Sequence, residues 1–212
     1  MSDERHSMQT YVSDMLALER HVRVPFETQA KDDDFLKYGD ASGVVQRLLG
    51  VSQRHIDDLD RCLETLGGHA ASPAKSAVSQ IEGFFAGAID QMRKTKVSKA
   101  LRDDYTAVAL CTAGYTMLET TALGLGDAEV AALAHRHLAD YAQCVMDVGR
   151  VLPEVVLTEL RDIGVAVDST AAATAQQSAE RAWRESGESA QRSATMESGT
   201  IEGSATGTSA LR

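Results

Sequence analysis

Apolar residues recur at intervals of three and four along most of the first 165 residues, and this spacing limits the possible folds more than any other feature of the sequence. Such intervals place side chains on one face of an α-helix, whereas the residues of a half-buried strand alternate between faces. The chain contains no alternating β-branched runs bounded by hairpin turns, and it has only 3 prolines. The sequence therefore predicts an all-α fold.

The apolar stripes predict four long helices, at about residues 8–30, 41–66, 101–123 and 128–150. A shorter helix is expected at about 74–94, inside the connection between the second and third long helices, and another from Pro153 to Gly164. Glycine-rich turns end the second and third long helices, and Asp127 is expected to cap the fourth. Four long helices with one extended, helix-containing connection predict a ferritin-like four-helix bundle.

The composition changes at about residue 167 to alanine, serine, threonine, glycine and glutamine, with Trp183 as the only large aromatic residue beyond that point. Such a segment buries too little apolar surface to offset the entropy of ordering the chain. We therefore expect a helical domain at residues 1–166 and a disordered tail at residues 167–212. A transient helix over residues 171–192 is the alternative.

Acidic residues outnumber basic ones by 31 to 21, which gives a net charge of −10 at pH 7. This charge repels phosphate backbones and anionic membrane surfaces, and no basic patch offsets it. No stretch approaches the roughly 18 uninterrupted apolar residues of a membrane-spanning helix, and the charged N-terminus lacks the apolar core of a signal peptide. We therefore expect a cytoplasmic protein that binds neither nucleic acid nor membrane.

The cysteines, Cys62, Cys111 and Cys144, lie far apart within apolar helical segments, so buried free thiols are expected rather than disulfides or a metal knuckle. The sequence has no phosphate-binding loop, dinucleotide fingerprint, catalytic-serine elbow or HExxH segment. These absences argue against nucleotide-dependent and ordinary hydrolytic chemistry.

One charged residue interrupts the apolar stripe of the first helix, which consists of Val12, Met15, Glu19, Val22 and Phe26. A buried carboxylate without a partner disfavours folding by several kcal/mol, so Glu19 needs a compensating group. The partner is either a metal ion, a neighbouring basic side chain such as Arg20, His21 or Arg23, or a tyrosine hydroxyl from another helix.

A second polar feature is the histidine of the segment SQRH, residues 52–55, on the second long helix. Ferritin-like di-iron proteins hold their metal ions with one glutamate from each of two helices and a Glu-x-x-His pair from each of the other two. Because positions i and i+3 share a helical face, Ser52 stands where that pattern has glutamate. His55 is therefore either a remaining metal ligand or a histidine at the edge of a solvated, acidic helix face.

These features resemble the YciE/YciF group of ferritin-like bacterial stress proteins. The segment DMLALERHV, residues 14–22, is similar to the family's first-helix pattern DLYDAEKQL at Asp14 and Glu19. The family's second helix, its crossover helix and the turn between its last two helices resemble HIDDLDRCLETLG at 55–67, IEGFFAGA at 81–88 and LGDAEVAALA at 125–134. The resemblance implies a ferritin-like fold over residues 8–150, with iron as the cofactor of a complete site. The phenylalanines of IEGFFAGA either pack in the core or form the contact of a homodimer.

The chain departs from this family at the metal ligands. The family's third bundle helix carries carboxylates and a histidine in a run such as KVEHYE, and TAGYT, residues 112–116, stands in that place. An acidic pair on its last helix aligns with Asp140 and Tyr141. A di-iron centre needs about six protein ligands, four of them carboxylates, so a degraded or absent site is expected. The surviving candidate ligands are Glu19, His55 and Asp140, with Glu119, His135 and His137 as substitutes if the register differs by one turn.

Three functional hypotheses result. The first is a homodimeric, stress-associated structural protein without a working di-iron site. The second is an enzyme or iron-handling protein that keeps a reduced metal site built from Glu19, His55, Asp140 and one of the substitutes. The third starts from the ending GTSALR, residues 207–212, which is similar to C-terminal peptides that load ferritin-like cargo into encapsulin shells, and makes a shell protein the partner.

Overall fold

The structure is a computed structural model that describes residues 2–68 and 96–205, with side chains at residues 3–68 and 96–192. These described parts contain helices and no strand, which confirms the all-α prediction. The helices are α1 (Ser2–Gln29), α2 (Asp33–Leu36), α3 (Gly39–Thr65), α4 (Val97–Leu125), α5 (Ala128–Asp162) and α6 (Ala171–Ala205). The helix predicted at about 74–94, including the segment IEGFFAGA, lies outside the described residues.

Helix α5 is longer than the sequence indicates. We expected one helix to end near residue 150 and another to start at Pro153, and this prediction is wrong because α5 continues through Pro153 to Asp162. A proline inside a helix removes one backbone hydrogen bond and strains the preceding turn. Val148 and Val155, seven residues apart on the same helical face, are both buried, so core packing on either side of Pro153 outweighs that loss.

The turn between α4 and α5 follows the predicted pattern. Gly126 ends α4 with a φ of 75°, in the left-handed region that glycine adopts without strain. The Asp127 carboxylate then accepts a hydrogen bond of 3.0 Å from the backbone N–H of Val130, which confirms Asp127 as the N-cap of α5.

The chain forms two compact units, Met1–Ala166 and Val167–Arg212. In the first unit, α1 packs against α3 and α4, and α5 packs against the same two helices. Hydrogen bonds at both ends of α1 show that it is antiparallel to α3. Near its start, Arg5 Nε donates to Leu66 O over 2.7 Å, and beyond its end, Gln46 Nε2 donates to Ala30 O over 3.3 Å.

Two further pairs of packed helices, α1 with α4 and α3 with α5, are antiparallel as well. Gln29 at the end of α1 donates to Asp104 near the start of α4, with 2.8 Å between the two atoms. Between α3 and α5, Arg47 forms an ion pair of 2.9 Å with Asp147. Arg54, which comes later on α3, contacts Asp140, which comes earlier on α5, at 3.5 Å. Side chains from α1, α3, α4 and α5 therefore face a common interior.

The predicted apolar stripes form this interior. Val12, Met15, Val22 and Phe26 of α1 are all buried, and Glu19 is buried among them. All three cysteines are free thiols, with Cys111 and Cys144 buried and Cys62 partly buried. No helix in the described parts of the chain is both long enough and apolar enough to cross a bilayer.

The second unit contains a helix where we expected disorder. Helix α6 runs over Ala171–Ala205, and its described side chains are mostly exposed. Its first turn is stabilised by Asp168, whose carboxylate accepts from the backbone N–H and the hydroxyl of Thr170, both at 2.8 Å. Alanine has the highest helix propensity, and the pair Gln176 and Glu180 lies at the favourable i,i+4 spacing. The segment GTSALR, residues 207–212, lies outside the described residues.

Candidate functional site

Glu19 lies at the centre of the first unit with no exposed surface, and both of its carboxyl oxygens are hydrogen bonded. Tyr115 of α4 donates to Oε1 over 2.6 Å, and Tyr141 of α5 donates to Oε2 over 2.5 Å. His55 Nδ1 of α3 lies 2.9 Å from Oε1. One of the partners considered for Glu19, a tyrosine hydroxyl from another helix, is therefore present, and it is present on two helices.

The spacing of the apolar stripes explains why these side chains meet. Tyr115 lies between the buried residues Cys111 and Leu118, and Tyr141 lies between the buried residues Ala134 and Cys144, so each ring points inward. Next to Tyr115, Gly114 allows α1 and α4 to approach closely. A Cβ atom on Gly114 would lie 2.5 Å from the sulfur of Met15, too close for any real contact.

A second histidine completes the centre of the first unit. The imidazole of His137 stacks on that of His55, with ring centroids 3.8 Å apart and planes 16° from parallel. His55 Nε2 lies 3.2 Å from Asp140 Oδ2, and His137 Nε2 lies 3.2 Å from Asp58 Oδ2. We call Glu19, His55, Tyr115, His137 and Tyr141 the central cluster, with Asp58 and Asp140 at its rim.

The rim carboxylates connect the central cluster to arginines at the surface. Asp140 contacts Arg54 at 3.5 Å, and Asp58 forms an ion pair with Arg61. Asp58 and Arg61 also line a cleft of about 320 Å³ between α3 and the start of α5. The two buried histidines therefore each reach an aspartate that solvent can approach.

Burial sets the protonation of the central side chains. Burial, and next the charge of Glu19, raises the pKa of Tyr115 and of Tyr141 well above that of an ordinary tyrosine, so both hydroxyls stay neutral donors. Burial, followed by the neighbouring His55, lowers the pKa of His137 to about 4, although its hydrogen bond to Asp58 acts in the opposite direction. His137 is therefore a neutral imidazole at pH 7. Its Nδ1 has no hydrogen-bond partner among the described residues.

The structure brings together some of the predicted metal ligands and separates others. Glu19, His55, His137 and Asp140 lie in or beside the central cluster. Glu119 and His135 form a separate pair, with 3.2 Å between His135 Nδ1 and Glu119 Oε1, and the His135 side chain is 69% exposed. Within residues 2–68 and 96–192, no three His, Cys, Asp or Glu side chains are arranged so that they could hold a metal ion.

The interpretation of His55 as a residue at the edge of a solvated face is wrong, because its side chain is only 1% exposed. It shares the buried face of α3 with Ser52, Ile56 and Leu59, which lie three residues before it and one and four after it. Ser52 itself is a donor to the backbone, since its hydroxyl lies 3.4 Å from the carbonyl oxygen of Glu19.

The sequence reasoning did not assign roles to Tyr115, Tyr141 and Asp58. A signal for the tyrosines was present, because both stand in apolar stripes and a buried hydroxyl needs a hydrogen-bond partner. Glu19 was the buried carboxylate that lacked an identified hydrogen-bond donor. Matching the tyrosines to Glu19 requires the register between the helices, which the apolar stripes alone do not provide.

Chemically, the central cluster is a set of donors gathered around one carboxyl group. An ionised carboxylate offers about four lone-pair sites, and hydrogen bonds from Tyr115, Tyr141 and His55 occupy three of them.

Comparison of the chain with protein-family models, with curated proteins and with solved structures found no match. The fold and the central cluster define an all-helical protein with a buried carboxyl, tyrosine and histidine centre.

Proposed function

We propose that this chain is a ferritin-like bundle protein, similar to the YciE/YciF stress proteins, in which the central cluster takes the place of a di-iron centre. Its role is structural and stress-associated rather than the oxidation of iron. The observation that carries this proposal is the set of hydrogen bonds through which α3, α4 and α5 all engage Glu19 of α1.

The direction of the helices supports a ferritin-like connectivity. The end of α3 lies beside the start of α1, where Arg5 bonds Leu66, and the start of α4 lies beside the end of α1, where Gln29 bonds Asp104. The end of α3 and the start of α4 therefore lie at opposite ends of α1, and α3 and α4 run in the same direction. A bundle with one long crossover of this kind is characteristic of ferritin-like folds.

The chemistry of the central cluster supports the loss of the metal centre. A di-iron site takes about four carboxylates and two histidines from the facing helices. Here α4 and α5 contribute the neutral hydroxyls of Tyr115 and Tyr141 instead. A hydroxyl that keeps its proton donates to Glu19 and competes with a cation for the same lone pairs. The cluster thus satisfies the carboxyl group without a metal ion.

A structural role follows from the position of these bonds. Each bond joins α1 to a different helix, so a shift of any of the helices along its axis breaks at least one contact to Glu19. A buried donor or acceptor left without its partner destabilises the fold by about 1–3 kcal/mol. The central cluster therefore favours one register of the four helices over its neighbours.

One observation favours a second candidate, an iron-handling protein with a reduced site. Glu19, His55, Asp140 and His137, four of the predicted ligands, lie close together. A change in the tyrosine rotamers would free lone pairs of Glu19 for a cation.

The predicted homodimer and shell partner depend on residues 81–88 and 207–212, outside the described residues, and remain predictions.

Iron binding separates these candidates. Protein purified without chelator is incubated with Fe(II) in air, desalted and analysed for iron by mass spectrometry, while absorbance follows iron oxidation. We expect an iron content well below one ion per chain and oxidation no faster than in buffer. A Glu19→Gln variant serves as control. About two irons per chain that are absent from this variant would contradict the proposal and favour an active di-iron site.

A further inference from the structure

Gln29 and Asp104 form a buried polar pair at the contact between the last turn of α1 and the second turn of α4. Each is only 2% exposed. Gln29 Nε2 donates to Asp104 Oδ1 over 2.8 Å. This pair is far along both helices from the central cluster, and it is separate from the contacts to Glu19 that carry the proposed function.

One oxygen atom in each of the two side chains is left without a hydrogen bond. Gln29 Oε1 and Asp104 Oδ2 are both buried, and neither has a hydrogen-bond partner among the described residues. An amide oxygen and an ionised carboxylate oxygen are both acceptors, so neither can satisfy the other. Buried polar atoms without a partner are rare in folded proteins and ask for an explanation.

A single proton satisfies both atoms. If Asp104 Oδ2 carries a hydrogen, it donates to Gln29 Oε1 while Gln29 Nε2 donates to Asp104 Oδ1, and the two side chains close a ring of two hydrogen bonds. We propose that Asp104 is a neutral carboxylic acid in the folded protein at neutral pH, and that this acid and amide ring is a latch between α1 and α4 that opens in alkaline solution.

The charges around the pair agree with a retained proton. Burial raises the pKa of Asp104 to about 8, and the charge of Asp103 adds to that effect, while the hydrogen bond from Gln29 opposes it. Asp103 is the neighbouring charge on α4, and it is itself paired with Arg102. Across the contact, α1 presents the neutral Gln29. Among the described residues no lysine, arginine or histidine forms an ion pair with Asp104.

The sign of the pH dependence follows from the direction of this shift. The folded protein binds the Asp104 proton more tightly than the unfolded chain, whose aspartate has an ordinary value near 3.8. The stabilisation by the latch is therefore complete below the unfolded value. It is lost progressively as the pH rises towards the folded value of about 8.

An isosteric variant tests the latch in the full-length chain. Asp104→Asn keeps both hydrogen bonds, since its amide donates to Gln29 Oε1, but it has no proton to lose. The urea midpoint of the wild type is expected to fall between about pH 6.5 and about pH 8, whereas that of Asp104→Asn stays constant apart from changes common to both proteins. Asp103→Asn removes a neighbouring exposed charge and should retain the fall.

A direct titration decides the proposal even if the variant folds poorly. Carbon-13 NMR of aspartate carboxyl groups, with the Asp104 signal identified by its absence in Asp104→Asn or by sequential assignment, follows its protonation in the wild type. A midpoint near 8 supports the latch. A midpoint near the ordinary value of 3.8 would overturn it and leave a buried cation or water as the partner of the two oxygens. Identical pH dependence of wild type and Asp104→Asn would overturn it as well.

Discussion

The imidazole rings of His55 and His137 are stacked with their centroids 3.8 Å apart in the interior of the helical unit. His55 contacts the carboxyl groups of Glu19 and Asp140, and His137 contacts that of Asp58. Two buried imidazoles in such contact disfavour a charge on both rings, because like charges at this distance repel strongly in a medium of low polarity.

The stack predicts that acid destabilises the protein through His137. Its pKa is lowered to about 4 in the folded state, against an ordinary value of 6.5, so the unfolded chain binds its proton more readily. The contribution of His137 to stability is therefore complete above pH 6.5 and is lost as the pH falls towards 4. Asp104 acts in the opposite direction over this range in both proteins, so the effect of His137 is read as a difference between them. From about pH 7 to about pH 5 the urea midpoint of the wild type should fall relative to that of His137→Phe.

A matched control for this prediction is His135, two residues away on the same helix. Its side chain is 69% exposed and faces Glu119. His135→Phe should keep the acid sensitivity of the wild type. If His137→Phe and His135→Phe lose stability equally in acid, His137 does not carry the effect.

Removal of either tyrosine hydroxyl is predicted to destabilise the fold. Tyr115→Phe or Tyr141→Phe leaves one oxygen of Glu19 with a donor missing in a buried site, and the expected loss is about 1–3 kcal/mol in the free energy of unfolding. Chemical denaturation followed by circular dichroism measures this loss. Tyr105→Phe on α4 is the control, because Tyr105 lies at the edge of the core and its hydroxyl has no hydrogen bond among the described residues. Equal effects in all three variants would contradict a special role for the central cluster.

Truncation of Glu19 is predicted to have the largest effect of any substitution in the central cluster. Glu19→Ala leaves the two tyrosine hydroxyls and His55 Nδ1 without their acceptor. Each buried donor without a partner costs about 1–3 kcal/mol, so the loss should exceed that of either tyrosine variant. Glu19→Gln keeps a carbonyl acceptor and should lose less. A double-mutant cycle between Glu19→Gln and Tyr141→Phe should give a coupling free energy of about 0.5–3 kcal/mol. Additive effects, with no coupling, would show that the short contact between these side chains contributes nothing to stability.

The all-α class and the positions of the long helices were largely predictable, because the apolar stripes that define them depend on residues close together in the sequence. The stripe through Val12, Met15 and Phe26 and the capping residue Asp127 needed only local spacing. The continuity of α5 through Pro153 was not predictable, since a proline inside a helix is tolerated only where packing on both sides compensates. Packing of that kind depends on the other helices.

The central cluster was predictable in part. A carboxylate in an apolar stripe identified Glu19, and the requirement for a partner followed from its burial. The two histidines at 135 and 137 point in nearly opposite directions on one helix, so only one of them can face the interior. The choice between them depends on the register of α5 against α3, which no local pattern encodes. The same register decides that Tyr141 meets Glu19.

A crystal structure of iron-soaked protein, with anomalous diffraction recorded at the iron absorption edge, tests the central claim most directly. We predict no anomalous peak between Glu19, His55, Tyr115 and Tyr141, and tyrosine hydroxyls within hydrogen-bond distance of both Glu19 oxygens. One or two strong peaks bound to Glu19 and His55, with the tyrosines turned away, would contradict the account.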